Sequence, residues 1–437
     1  MKANTKVATR TRRIAAAAMA SALVLGLAAC GSDDKAPGAA GGDDKVNLTF
    51  AWWGSDTRHE VTQKVIAEFE KKHPNIKITP DYTSWDSYFE KLNVAAAGGN
   101  LPDVITQEER FLTEYATRDL LLDLKGLGLD TSKIDSTILD SGSIDGKLYG
   151  VATGINVHGV VVDPEIFKEV GVEIPDDTKW TWDDYVSIAN EISEKSGGKY
   201  YGVQNYSFNE VTLKIAARQK GEEVFTKDGK IGVSEATVTE WFQRSVDLLG
   251  KGSPDASVST EVQGAGVEGS LPASGKGAMA WFWSNQLPAI SKAAGRPMQV
   301  LRAPGESQFA RGGQFFKPSM FYSASAKTKH PEEAKLFIDF LINSEEAGKL
   351  ILTDRGLPGN TDVRASVLPL LGAADTVGAE FVSGLEGSIV DGTPVPPVGS
   401  GKATEITGRV NSDVLFGNIT PAQGAKRWIE EMNAAIS

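Results

Sequence analysis

Several of the nine tryptophans stand where predicted strands end or helices begin, and polar side chains stand beside them. The positions with this pattern are Trp52, Trp53, Trp85, Trp281, Trp283 and the neighbouring Asn285. Flat indole rings cover the C–H patches of a sugar ring, whereas amide and charged side chains bind its hydroxyls. The pattern therefore indicates a site for a polyhydroxylated ligand. The alternative, which applies to any single tryptophan, is a place in the hydrophobic core.

A charged cluster of Glu108, Glu109 and Arg110 follows a short buried strand predicted over residues 103–106. Two interpretations stay open for its carboxylates. They either offset the positive end of a helix dipole or bind the ligand. Arg355 follows a predicted helix, and it too has two readings, since it either binds a ligand hydroxyl or pairs with Asp354.

Motifs for catalysis are not found in the sequence. The four histidines are scattered rather than spaced as metal ligands, and neither HExxH nor GxSxG occurs. Gly275-Lys276 is followed by glycine rather than by Ser or Thr, which excludes a phosphate-binding loop there. A glycosidase needs two carboxylates across the scissile bond, and sequence spacing neither singles out nor excludes such a pair. We predict a protein that is not an enzyme and that needs no cofactor or metal.

The N-terminus has the pattern of an export signal. Five basic residues precede residues 14–29, which are apolar or small, too few for a permanent membrane span and enough for a secretory signal. Leu27-Ala-Ala-Cys30 resembles the lipobox of bacterial lipoproteins, and Cys30 is the only cysteine. The resemblance implies that residues 1–29 are a lipoprotein signal peptide and that Cys30 carries the lipid. An ordinary secretory signal with an incidental cysteine is the alternative.

The net charge of the chain limits the classes of partner that it can bind. The formal net charge is −12, and removing the five positive charges of residues 1–29 leaves −17. Such acidity argues against nucleic acid as a partner. Residues 30–45 offer almost nothing to bury and are predicted to form a flexible tether. The remaining chain, about 400 residues, exceeds what one hydrophobic core usually serves, which predicts two domains.

Hydrophobic periodicity predicts alternating strands and helices after the tether. A strand ending at Trp53, a helix over 56–72 and a strand through Ile76 and Ile78 form a β–α–β opening. This order is typical of a parallel sheet covered by helices. Ligands of such sheets bind beyond the carboxyl ends of the strands. Trp52, Trp53 and the charged cluster are expected at that edge.

Five motifs, together with the lipobox and the opening unit, occur in an order that resembles one protein family. They are AAAGGNLPDVI, GKLYGVATGINVHGVVVDPEIFKEVGV, TWDDY, GKGAMAWFWSNQ and KHPEEAKLFIDFLINSEEAGKL. The order resembles that of the extracellular solute-binding lipoproteins that serve carbohydrate ABC importers. Each motif is loose by itself, and the order makes the resemblance specific. It covers essentially the whole chain from about residue 46.

The resemblance implies an α/β, two-lobe periplasmic-binding-protein-like fold with a hinge and a ligand cleft between the lobes. Residues 46–154 and 315–360 would form the N-terminal lobe, and residues 155–314 and 361–437 the C-terminal lobe. Asn156 would lie at a crossover, within reach of the cleft. Trp53 and Trp283 match loops in which this family places sugar-stacking rings.

The resemblance also implies a function. The protein would be a lipid-anchored receptor on the extracellular face of the cell membrane, binding a mono- or oligosaccharide by lobe closure and delivering it to an ABC permease. We expect a monomer whose partners are the carbohydrate, the permease and, through the lipid, the membrane. Two alternatives stay open: a binding protein of the same fold for a non-sugar solute, and a secreted enzyme acting on polysaccharide.

Overall fold

A computed structural model describes residues 45–54, 56–83, 85–389 and 391–436. The predicted signal peptide, Cys30 and residues 30–44 of the predicted tether lie outside the described residues, as does the side chain of Trp85. No helix in the described part of the chain is both long enough and apolar enough to cross a membrane.

Strands and helices alternate along most of the chain. The strands are β1 (Val46–Trp53), β2 (Ile76–Thr83), β3 (Val104–Gln107), β4 (Ser143–Ile144), β5 (Lys147–Leu148), β6 (Val151–Ala152), β7 (Ile155–Asn156), β8 (His158–Val162), β9 (Tyr201–Val203), β10 (Gly277–Trp283), β11 (Gln299–Leu301), β12 (Lys317–Pro318) and β13 (Phe321–Ala324). The helices are α1 (Asp56–Lys72), α2 (Trp85–Ala97), α3 (Glu109–Thr117), α4 (Ser136–Asp140), α5 (Pro164–Val170), α6 (Trp182–Lys195), α7 (Val211–Gln219), α8 (Glu235–Leu248), α9 (Ala256–Gly264), α10 (Leu287–Ala294), α11 (Pro331–Asn343), α12 (Glu345–Ile351), α13 (Thr361–Val367), α14 (Ala373–Gly384), α15 (Ala403–Leu415) and α16 (Pro421–Ile436).

The first lobe is built on a five-stranded sheet in the order β2-β1-β3-β13-β6. β1 pairs in parallel with β2 and β3, whereas β13 runs antiparallel to β3 and β6. Leu48, Phe50 and Val104 are fully buried in its core. Because β1 and β3 run in the same direction, Trp53 and Gln107 end them at the same edge of the sheet.

The second lobe is built on a four-stranded sheet in the order β11-β8-β10-β9. β8 is antiparallel to β10 and β11, and β10 is parallel to β9. The register places Trp283 directly opposite His158. Helix α16 packs on α8 and α15, and Trp428 on its apolar face is fully buried. Each sheet therefore has its own hydrophobic core.

The two lobes are joined where separate chain segments cross side by side. β7 pairs with β12, and Ile155 exchanges backbone hydrogen bonds with Leu357. The segments approach so closely that a Cβ on Gly154 would lie 2.4 Å from the Arg355 carbonyl oxygen. A glycine is therefore required there. This crossing positions Asn156 and Lys317 between the lobes.

Helix α13 requires a correction to the predicted lobe boundaries. The sequence assigned everything after residue 360 to the C-terminal lobe, but α13 packs against α11 and α12 of the first lobe. Gly348 provides the room, since a Cβ there would lie 2.4 Å from a methyl group of Val363. The return to the second lobe therefore begins after α13. The other boundaries stay predictions.

Candidate ligand-binding site

A cavity of about 480 Å³ lies between the lobes, and we call it the central cleft. It is lined by Trp53, Arg58, Glu108, Asn156, Trp283, Asn285, Gln286, Lys317, Pro318, Ser319, Met320 and Asp354. β1 and β3 end at one side of it and β10 at the other. The structure therefore brings together five of the side chains that the sequence singled out: Trp53, Glu108, Asn156, Trp283 and Asn285.

Ion pairs cover the first-lobe face of the central cleft. Arg58 Nε donates to Asp354 Oδ2 at 2.8 Å, and Arg110 Nε donates to Glu108 Oε2 at 3.0 Å. Lys317 Nζ lies 3.7 Å from Glu108 Oε1 and 3.5 Å from Glu109 Oε2. The cationic groups of this face are thus already matched with carboxylates.

Glu108 has a structural role besides facing the cleft. Its Oε2 accepts the Arg110 backbone N–H at 2.8 Å and so caps the N-terminus of α3. Burial alone raises the pKa of Glu108, but Lys317 and Arg110 outweigh it, and the pKa lies below its usual value. Glu108 is therefore ionised at neutral pH. Glu108 therefore caps the helix and also lines the cleft, and ligand binding by the cluster stays a prediction.

Asn156 lines the central cleft and has an unused acceptor. The side chain is only 6% exposed, and its Nδ2 donates to Ser319 Oγ at 2.6 Å. Its Oδ1 has no hydrogen-bond partner among the described residues. A buried acceptor without a donor is costly.

Trp283 forms the opposite, second-lobe face. Its indole is half-buried, lies 4.7 Å from the His158 ring, and has Lys317 Nζ 5.7 Å from its centroid. The backbone N–H of Trp283 donates to Gln286 Oε1 at 2.9 Å, which fixes the turn after β10. The ring is therefore held at the cleft without being enclosed in the core.

A second cavity of about 220 Å³ adjoins the central cleft, and we call it the amide pocket. The two share Trp283 and Gln286. The amide pocket is lined by His158, Gln204, Asn205, Tyr206, Asn209, Gln263, Gly266, Val267, Trp281, Phe282, Trp283 and Gln286. It lies beyond the carboxyl ends of the parallel strands β9 and β10. Burial lowers the pKa of His158 to about 3, so its ring is neutral at physiological pH.

The comparison with known proteins gives a family. The chain matches the family of bacterial extracellular solute-binding proteins over residues 53–348. This chain belongs to that family. The match supports a location outside the cytoplasm, extracellular or periplasmic, and a role in solute binding. It also confirms the family predicted from the order of the sequence motifs.

Two relatives and one solved structure illustrate the match. This solute-binding protein is 27% identical over 396 residues to the diacetylchitobiose-binding protein of Streptomyces coelicolor, covering 84% of this chain and 88% of that protein. It is 26% identical over 365 residues to the arabinooligosaccharide-binding protein of Bacillus subtilis, covering 79% of each. A family 1 extracellular solute-binding protein from Alicyclobacillus acidocaldarius has a TM-score of 0.74 at 28% identity, covering 90% of this chain and 98% of that one. The predicted two-lobe α/β fold is confirmed.

Two of the predicted contact residues lie in the first-lobe core of this solute-binding protein instead of at the cleft. Trp52 is 1% exposed, and its Nε1 donates to His59 Nδ1 at 3.0 Å. Arg355 is 1% exposed and donates to the hydroxyls of Tyr322 and Thr62. Trp52 lies on the opposite face of β1 from Trp53 because side chains alternate along a strand. Neither side chain lines the central cleft or the amide pocket.

Three other predicted residues have intermediate positions. Trp281 is 8% exposed, donates from Nε1 to Tyr185 Oη and stacks on Trp182, yet it lines the amide pocket. Glu109 and Arg110 lie behind Glu108 and reach the cleft through ion pairs rather than by lining it. They therefore support the site electrostatically.

Sequence reasoning missed several lining residues. Arg58, Lys317, Ser319 and Asp354 belong to the central cleft, and the side chains of Gln204 and Asn209 belong to the amide pocket. Gln204 directly follows β9, so the rule that ligands bind beyond strand ends would have found it. No local signal marks Arg58 or Asp354, which are 296 residues apart and meet only in the folded lobe.

A larger open groove of about 910 Å³ lies on the surface of α6 and α8. Its lining includes Asp183, Glu235 and Glu240, which are exposed to solvent on the helix surfaces. All of its lining residues belong to these two helices, and none lies at a strand end, where ligands of α/β sheets bind. The central cleft is therefore the candidate ligand site. Within the described residues no group of three or more His, Cys, Asp or Glu side chains is arranged to hold a metal ion.

Proposed function

We propose that this solute-binding protein is a receptor that captures an oligosaccharide between its two lobes and delivers it to an ABC permease. The observation that carries the proposal is the half-buried Trp283 facing an ion-paired polar wall across the central cleft. An indole ring covers the C–H face of a sugar, and directional polar groups bind its hydroxyls. The names of the sugar-binding relatives support the same class of ligand.

Binding would depend on lobe closure. Trp53, Glu108 and Arg58 belong to the first lobe, whereas Trp283, Asn285 and Gln286 belong to the second. A ligand that contacts both sets favours the closed arrangement, because only that arrangement provides all the contacts. The permease would then recognise the closed receptor in preference to the empty one.

Calorimetry against a panel of neutral oligosaccharides, with chromatography of the sugars afterwards, tests the proposal. We expect heat of binding for at least one glycan, which is recovered with its length unchanged. Shorter products would favour the polysaccharide-active enzyme. Binding of peptides, polyamines or chelated iron without binding of any glycan would favour a receptor for a non-sugar solute.

We also propose that the receptor is attached to the outer face of the cell membrane by a lipid on Cys30. The support is the lipobox-like sequence and the absence of any other cysteine in the chain. Replacing Cys30→Ser removes the thiol that would take the lipid, so we expect the protein to leave the membrane fraction of fractionated cells while its sugar affinity is unchanged. Ser32→Ala, two residues further along, is the matched control and should stay with the membrane. Retention of the Cys30→Ser protein in the membrane fraction would contradict the anchor.

A further inference from the structure

The amide pocket differs chemically from the central cleft that it adjoins. Four charged side chains line the central cleft: Arg58, Glu108, Lys317 and Asp354. Among the described residues that line the amide pocket there is no Asp, Glu, Lys or Arg. A ligand group in this pocket therefore meets uncharged groups: amides, aromatic rings, a neutral imidazole and the aliphatic Val267.

The amides of the pocket are oriented by backbone groups. Gln204 Oε1 accepts the Leu271 N–H at 3.0 Å, Asn209 Oδ1 accepts the Val211 N–H at 3.1 Å, and Gln286 Oε1 accepts the Trp283 N–H at 2.9 Å. A backbone N–H can only donate, so each of these contacts fixes the oxygen of the amide and not its nitrogen. The three side-chain nitrogens remain as hydrogen-bond donors. The pocket is consequently rich in donors.

Apolar surface completes the pocket. Its lining residues include Val267, Phe282, Trp281 and Trp283, of which Val267 and Phe282 are half-buried. His158 lies between the two indoles, 5.6 Å from Trp281 and 4.7 Å from Trp283, and its buried Nδ1 has no partner among the described residues. The pocket therefore combines several donors, an apolar wall and one polar group of the imidazole.

The size of the pocket limits what it can take. Each water in the liquid occupies about 30 Å³, so about 220 Å³ has room for roughly seven waters or for a substituent together with part of a sugar ring. A plain sugar hydroxyl is both donor and acceptor, and its proton is best matched by a carboxylate, which this pocket does not offer. An acetamido group has a carbonyl oxygen that accepts from amide N–H donors and a methyl group that packs on apolar surface.

We propose that the amide pocket binds the acetamido group of an N-acetylated amino sugar, so that the ligands of this receptor are oligosaccharides of N-acetylhexosamine. The inference rests on the proposed function, because it assigns the ligand class of the same site. The pyranose ring next to the acetamido group would then lie against Trp283, the side chain that the pocket and the central cleft share.

Calorimetry with two matched disaccharides tests the assignment. N,N′-diacetylchitobiose and cellobiose have the same linkage and ring configuration and differ in the acetamido or hydroxyl group at C2. We expect at least tenfold tighter binding of the acetylated disaccharide. Equal or tighter binding of cellobiose overturns the inference, as does binding of another neutral glycan when neither disaccharide binds. If no glycan binds at all, the proposed function fails as well.

A variant of the pocket tests the location. Gln204→Glu keeps the oxygen that accepts from Leu271 and replaces the donating NH2 by an oxygen, which repels the acetamido carbonyl. We expect at least a tenfold loss of affinity for N,N′-diacetylchitobiose with an unchanged melting temperature. Gln308→Glu makes the same charge change at an exposed position and serves as the control. Asn209→Asp applies the same logic if Gln204→Glu does not fold. Unchanged affinity in a folded pocket variant overturns the inference.

Discussion

The two faces of the central cleft achieve polarity by different means. The first-lobe face consists of paired charges, in which Arg58 meets Asp354 and Glu108 meets Arg110 and Lys317. The second-lobe face consists of Trp283 and uncharged amides. Paired charges also stabilise the fold, since Glu108 caps α3 and Arg58 joins α1 to the Asp354 turn.

The two faces should therefore respond differently to mutation. Changes on the first-lobe face should alter stability as well as affinity, because its residues also belong to the core or to ion pairs. Changes on the second-lobe face should mainly alter which ligand binds and how tightly. His158 is the exception on the second-lobe side. It lines the amide pocket but is only 5% exposed, so changing it should also alter stability.

The largest effect should come from Trp53→Ala. Trp53 is 7% exposed, and its ring lies 5.1 Å from Tyr88 and 5.7 Å from Phe89. Removing a buried tryptophan leaves a cavity, and we expect a loss of about 3–5 kcal/mol in the free energy of unfolding, measured by urea denaturation. A loss below about 1 kcal/mol would mean that the two faces of the cleft do not differ in this way.

The second-largest effect should be a difference in how the stability contributed by His158 and by Glu108 depends on pH. The pKa of His158 is about 3 in the folded protein and about 6.5 in the unfolded chain, so the unfolded chain binds the extra proton as pH falls below 6.5. The stability from neutral His158 is present at pH 7 and is lost toward pH 3. Between pH 7 and pH 5 we expect the wild type to lose about 2 kcal/mol more than His158→Gln does in urea denaturation.

Glu108→Gln is the first-lobe counterpart in the same experiment. The lowered pKa of Glu108 contributes stability above the unfolded pKa of a glutamate, about 4.3, and that contribution is lost only as pH falls through the lower folded value. The Glu108→Gln protein should therefore lose as much free energy of unfolding as the wild type does between pH 7 and pH 5. Parallel curves for wild type and His158→Gln would show that His158 does not titrate as its burial requires.

The effect expected of Trp283→Ala is smaller and concerns ligand affinity rather than the free energy of unfolding. We expect at least a tenfold loss of sugar affinity by calorimetry, equivalent to about 1.4 kcal/mol, with the thermal transition nearly unchanged. The half-buried ring packs only partly against the second-lobe core, so its removal should cost little stability. Unaltered affinity, or a mutant that unfolds, would show that Trp283 is not a stacking platform and would remove the contrast with Trp53.

Local features of the sequence predicted much of the architecture. The β–α–β opening is present, with β1 and β2 parallel. Thr181 and Asp184 form a capping box at α6, and Thr420 and Gln423 exchange hydrogen bonds at the start of α16. These features depend on residues a few positions apart, so the sequence pattern is sufficient to predict them.

The candidate site was predictable only where strand ends determine it. Trp53, Glu108 and Trp283 lie at or just after the ends of β1, β3 and β10, and all of them line the central cleft. Arg355 could not be assigned in this way. Its turn follows α12, and packing against Tyr322 and Thr62 turns the guanidinium into the core.

The sequence by itself determined the order of strands and helices, their caps, and the family to which the order of motifs belongs. Tertiary structure decided which of two adjacent indoles, Trp52 or Trp53, faces the cleft, and which distant partner each charge meets. The physical reason is that alternation along a strand defines two faces without saying which one other elements will cover. That choice depends on the packing of both lobes and on the crossing of the chain between them.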